Sequence, residues 1–122
     1  MQYMLLIFDD ERVWGEMSED ERNRLYADYG TFTNELRESG GLVTADQLQP
    51  STTATTVRVR NDETLTTDGP FAETKEQLGG YYLIDVESLD EAIEWAAKIP
   101  SARGGTIEVR PVVQQPAPVE AR

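Results

Sequence analysis

The sequence predicts one α+β domain in which a β-α-β unit, a hairpin and a second β-α-β unit follow one another. Three observations predict it. Ser18 precedes Glu21, and Ser88 precedes Glu91, by the three-residue spacing that opens a helix, each ahead of an apolar stripe. Short runs rich in aliphatic, aromatic and β-branched residues stand before, between and after these helices. The length of 122 residues suits one core and leaves no room for a second domain.

The first strand covers Tyr3–Phe8, and its unbroken apolar run reads as buried on both faces. It ends in the acidic turn Asp9-Asp10-Glu11. A helix over 19–39 follows, with Leu25, Tyr29, Phe32 and Leu36 on one face and Gly40-Gly41 to end it. A short strand comes next at Leu42–Thr44. Thr55–Arg60 alternates with period two, Asn61-Asp62-Glu63 turns and Thr64–Thr67 returns, which makes 55–67 a hairpin. Phe71–Gln77 is expected to carry one helical turn before Gly79-Gly80 and the strand Tyr81–Val86. The second helix lines Leu89, Ala92, Ile93, Ala96 and Ala97 on one face and stops at Pro100. Thr106–Val113 is the last strand. The domain thus covers 1–113, and 114–122, with Pro116 and Pro118, reads as a flexible tail.

This order is that of a ferredoxin-like sheet with both helices on one face. The opposite face carries apolar and aromatic residues that a monomer leaves in water, so a homodimer packed sheet on sheet is expected.

Composition excludes more than it suggests. Acidic residues outnumber basic ones by 23 to 11, a net charge of −12, which argues against nucleic acid as a partner. With no histidine and no cysteine, imidazole and thiolate chemistry, zinc sites and disulfides drop out. No apolar run approaches the ~20 residues of a membrane span. No address directs the chain out of the cytoplasm, its expected location. Neither nucleotide-binding glycine pattern is present, and no cofactor is expected.

Several residues carry chemistry, and each has a plain alternative. Asp68-Gly69-Pro70-Phe71 either locks a loop, with Phe71 plugging the core, or walls a cleft to which Glu73 and Lys75 offer an acid and a cation. Arg58 and Arg60 share one strand face, either as an anion grip or paired with the chain's own acids. Asp9, Asp10, Glu11 and Glu16 supply oxygen ligands but match no cation-loop spacing, so they read as solvated turn charges and no metal is expected. Tyr29, Tyr81 and Tyr82 are the phenols that remain for proton transfer, and packing is the alternative role.

The stretch Asp68-Gly-Pro-Phe-Ala-Glu-Thr-Lys-Glu-Gln-Leu-Gly-Gly-Tyr-Tyr-Leu-Ile84 resembles the signature of the YCII-related family, DGPF-type branch. Tyr3–Ile7, Ala54–Arg58 and Ile107–Val112 extend the resemblance over roughly 1–113. It implies a dimeric α+β barrel and, for some members, an association with extracytoplasmic-function sigma factors. The His-Asp pair proposed for the wider family falls at Tyr29 and near Ile99, so both groups are missing here.

The reading is therefore a small homodimeric binding or regulatory module. It holds a small, anionic molecule in a cleft near the DGPF loop, formed from Tyr29, Arg58, Arg60, Asp68, Phe71, Glu73, Lys75 and Tyr81. Two alternatives stay open: an enzyme of the same fold using Asp68, Glu73 or Tyr29, and an interaction protein that engages a sigma factor.

Overall fold

Strand β1 (Gln2–Asp9) runs through the middle of a four-stranded sheet with order β2-β5-β1-β6, where β2 is Leu42–Gln47, β5 Gln77–Asp85 and β6 Thr106–Pro111. Every neighbouring pair is antiparallel. Three α-helices accompany the sheet, α1 (Glu11–Glu16), α2 (Glu19–Glu38) and α3 (Leu89–Lys98), so the chain is α+β. The computed structural model describes residues 1–114, and the predicted tail lies outside the described residues apart from Gln114. None of its helices is long and apolar enough to cross a membrane.

The core forms where the pleat of the sheet meets α2 and α3. Tyr3, Leu5 and Ile7 alternate along β1, Tyr82 and Ile84 join them from β5, and Phe32, Leu36, Ala92, Ala96 and Ile99 close over them. Leu5, Leu36, Ile84 and Ile99 are the largest fully buried side chains, each contributing about 1.5–3 kcal/mol of apolar burial. Phe32 meets the rings of Tyr82 and Trp95 edge-on, at centroid distances of 5.1 and 6.0 Å. The other sheet face carries Met4, Leu6, Phe8 and Leu83, which are only half-buried. β1 is thus one-sided here, not buried on both faces as its apolar run suggested.

The helix starts follow the sequence with one refinement. Ser18 and Glu21 form the full reciprocal box, with each backbone N–H donating to the other's side chain at 3.1 Å. At α3 only half of it forms: Glu91 N–H donates to Ser88 Oγ, whereas the Glu91 carboxylate accepts from Glu87 N–H instead. The buried side of α3 is Ala92, Trp95 and Ala96 continuing to Ile99, while Leu89, Ile93 and Ala97 stay exposed.

Other expectations need correction. The acidic turn is a helix start: the Asp10 side chain accepts from Arg12 N–H and caps α1. Residues 71–76 form bends and no helical turn, and β5 starts at Gln77 rather than Tyr81. The hairpin consists of β3 (Thr55–Arg60) and β4 (Glu63–Asp68), with positive φ at both Asn61 and Asp62, as a two-residue turn between twisted strands requires. It forms its own two-stranded sheet and pairs with no strand of the larger one.

Candidate functional site

A cavity of about 530 Å³ opens between the first half of α2, α1 and the helix-facing side of β1, β2 and β5. It arises because the α2 stripe is graded: Phe32 and Leu36 are buried, whereas Leu25 and Tyr29 are only half-covered. The Gly79-Gly80 pair passes beneath. Here the β1–β5 register shifts, Ile7 opposing Gly80 and Phe8 opposing Leu78, so Gly79 is the extra residue of a bulge. A Cβ on Gly80 would lie 2.9 Å from the Asp46 carbonyl oxygen, so β2 and β5 approach this closely only with glycine there. Trp14 of α1 and Tyr26 of α2 meet edge-on at 5.4 Å and border the opening, and the Arg22 guanidinium lies 5.7 Å from the Trp14 ring centroid.

The polar groups converge at one end. Tyr29 Oη lies 2.5 Å from Ser101 Oγ. Ser101 is the buried polar residue of the core and stands in the 3-10 turn Pro100–Ala102 after α3. The Asp9 carboxylate at the end of β1 lies beside this pair and lines the same cavity. Burial pushes the Asp9 carboxyl above its usual range, the Ser101 hydroxyl opposes the rise and the nearby Glu76 charge adds to it. The Asp9 carboxylate and the Phe8 carbonyl lie where a Cβ on Gly105 would sit, so a glycine is required at that close approach. Tyr29 is pushed up to about 12, chiefly by burial. Its phenol therefore stays protonated at neutral pH and is no base there. Either hydroxyl can donate in the Tyr29–Ser101 bond, and in both cases the Tyr29 oxygen keeps a lone pair.

The acidic cluster is divided among separate tasks. Glu11 accepts from Ser51 N–H at 2.6 Å and Ser51 Oγ at 2.8 Å, which ties α1 to the segment before β3. Asp10 binds Arg12 at 2.8 Å, and this pairing holds its carboxyl below the usual range. Among the described residues, no three carboxylates gather as metal ligands.

Of the residues singled out from the sequence, Tyr29, Tyr81 and Tyr82, with Asp9 and Glu11 of the acidic turn, line this cavity. Tyr81 donates from its hydroxyl to the Asp46 carboxylate at 2.6 Å, and strand alternation turns its ring away from the Tyr82 face. Arg58 and Arg60 are exposed on the hairpin, on one face as expected, and neither forms an ion pair among the described residues. Asp68, Glu73 and Lys75 are exposed and do not line the cavity. Phe71 is 79% exposed, so it is no core plug. The lock at this loop is made at Gly69: its N–H donates to the Ala54 carbonyl at 2.7 Å, and the Thr56 side-chain Oγ1 donates to its carbonyl at 2.8 Å. Sequence reasoning missed Trp14, Tyr26 and Ser101, and it read Asp9 only as a solvated turn charge. The one local signal was a half-buried acid closing an apolar strand.

The chain matches the YCII-related domain family over residues 1–116. It is also 43% identical over 114 residues to an uncharacterized protein of Rhizobium meliloti (strain 1021), covering 92% of both chains.

Proposed function

Because the chain belongs to the YCII-related family, we propose that it is a homodimeric small-molecule-binding or regulatory module whose ligand occupies the cavity over Gly79-Gly80. The cavity carries this reading. Its volume of about 530 Å³ lies within the ~300–1,000 Å³ of small-molecule sites, and it joins an apolar, aromatic wall to a few convergent polar groups. The strand order β2-β5-β1-β6, with helices crossing between its strands, supports the ferredoxin-like form of the fold. The Asp68–Phe71 motif supports the DGPF branch. The open sheet face of Met4, Leu6, Phe8 and Leu83 favours a dimer packed through it, as in a dimeric α+β barrel.

The test is a neutral environment-sensitive dye such as Nile red. Its emission should rise on binding one site per chain, and Ala45→Trp, which fills the cavity from β2, should abolish the rise. Unchanged emission in that variant overturns the reading. Sedimentation that finds only a 13.7 kDa species removes the dimer.

A second reading rests on Tyr29, Ser101 and Asp9 gathered at one end of the cavity, the kind of cluster an acid–base site uses. In that enzyme Asp9, rather than Asp68 or Glu73, exchanges the proton. One carboxylate with a raised pKa faces the cavity rather than a pair, and this favours binding over catalysis. An interaction with a sigma factor remains the third role, and it calls on the exposed hairpin rather than the cavity.

A further inference from the structure

The polar end of the cavity offers lone pairs and no cation. Tyr29 and Ser101 hydrogen-bond each other, and the phenolic oxygen of Tyr29 and the carboxylate of Asp9, which has no ion-pair partner among the described residues, present lone pairs to the cavity. Asp10 is neutralised by Arg12, and Glu11 is held by Ser51. Asp9 lines the cavity beside the Ser101 hydroxyl. Among the described residues, the lining contains Asp9, Glu11 and Asp46 but neither Lys nor Arg. An anion entering here meets like charge and no cationic side chain among the described lining residues. The anion expected from Arg58 and Arg60 therefore has no counterpart in this cavity, because those side chains stand on the hairpin.

We propose that the cavity selects an amphipathic amine, whose protonated nitrogen meets Asp9 and Tyr29 while its apolar body lies against Trp14, Leu25 and Tyr82. An ammonium only donates, which complements the acceptors that Asp9 and Tyr29 present at this end of the cavity, and aromatic faces attract cations. Such selectivity rests on the cavity being the ligand site.

The experiment compares phenethylamine, phenethyl alcohol and phenylacetate by calorimetric titration at pH 7.5. The amine should bind about tenfold or more tightly than the alcohol, and phenylacetate weakest. Asp9→Asn should remove the amine's advantage, so that amine and alcohol bind that variant with equal affinity. If that variant does not fold, the ranking of the three probes on the wild-type protein decides for or against the amine. An amine no tighter than the alcohol overturns the amine class and leaves the cavity as a binding site. If none of the three binds and Nile red does not either, the site itself falls.

Discussion

The four-stranded sheet and the β3–β4 hairpin are built from similar residues and differ in what they cover. Along β1 and β5 every second side chain is buried, whereas in the hairpin all but Thr56 are exposed. Val57 and Val59 are each 58% exposed, although their period-two pattern is as regular as that of Tyr3, Leu5 and Ile7. Alternation and β-branching make a backbone extended. They do not supply the layer that covers it. A lone two-stranded ribbon is marginal in water, so the positive-φ turn at Asn61-Asp62 and the backbone clasp at Gly69 hold this one together.

Core truncation breaks the comparison most sharply. Leu5→Ala should cost about 2–5 kcal/mol in chemical denaturation, and Val57→Ala should stay within about 0.5 kcal/mol. A Val57→Ala cost near the Leu5 value would mean that the hairpin is covered in solution, by a second copy or another partner. Next comes Gly105→Ala, which sets a methyl against the Phe8 carbonyl and the Asp9 carboxylate. It should lose about 1–3 kcal/mol by overpacking, while Gly69→Ala in the loop strains only its own positive φ of 94°. Ser101→Ala removes the hydrogen-bond partner of the Tyr29 hydroxyl and should cost about 1–2 kcal/mol. A Thr66→Ala control in the hairpin should leave the melting temperature unchanged.

The smallest effect is one of pH. The folded pKa of Asp9 is raised, so its stabilising contribution is complete below its unfolded value and is lost as pH rises through the folded one. Asp9→Asn should therefore be more stable than wild type at neutral pH, with the difference closing on acidification. Glu76, Ser101 and Tyr29 face the same carboxylate, and a Glu76→Gln background should narrow the gap. A gap that widens on acidification would mean that Asp9 is paired to a cation in solution.

The sequence carried the order of the large elements, since each begins or ends on a signal within a few residues: Ser18 with Glu21, Gly40, Pro100. Helix α1 escaped because six residues hold no full apolar stripe, and its cap Asp10 reads equally as a charged turn. The site was less legible. Tyr29 was legible through its place on the α2 face, but Asp9, Trp14 and Ser101 meet only when β1, α1 and the turn after α3 converge. No local spacing encodes that meeting. Phe71 misled because a large aromatic beside Pro suggests an anchor, and its exposure depends on the hairpin standing apart from the larger sheet.

The two tryptophans of the chain occupy places with opposite duties. Trp14 borders the cavity in contact with Tyr26, while Trp95 packs on Phe32 in the core. The molecule thus holds two separate fluorophores, one for occupancy and one for unfolding. Replacing either with Phe isolates the signal of the other, so ligand entry and loss of the core can be read in one cuvette without an added label.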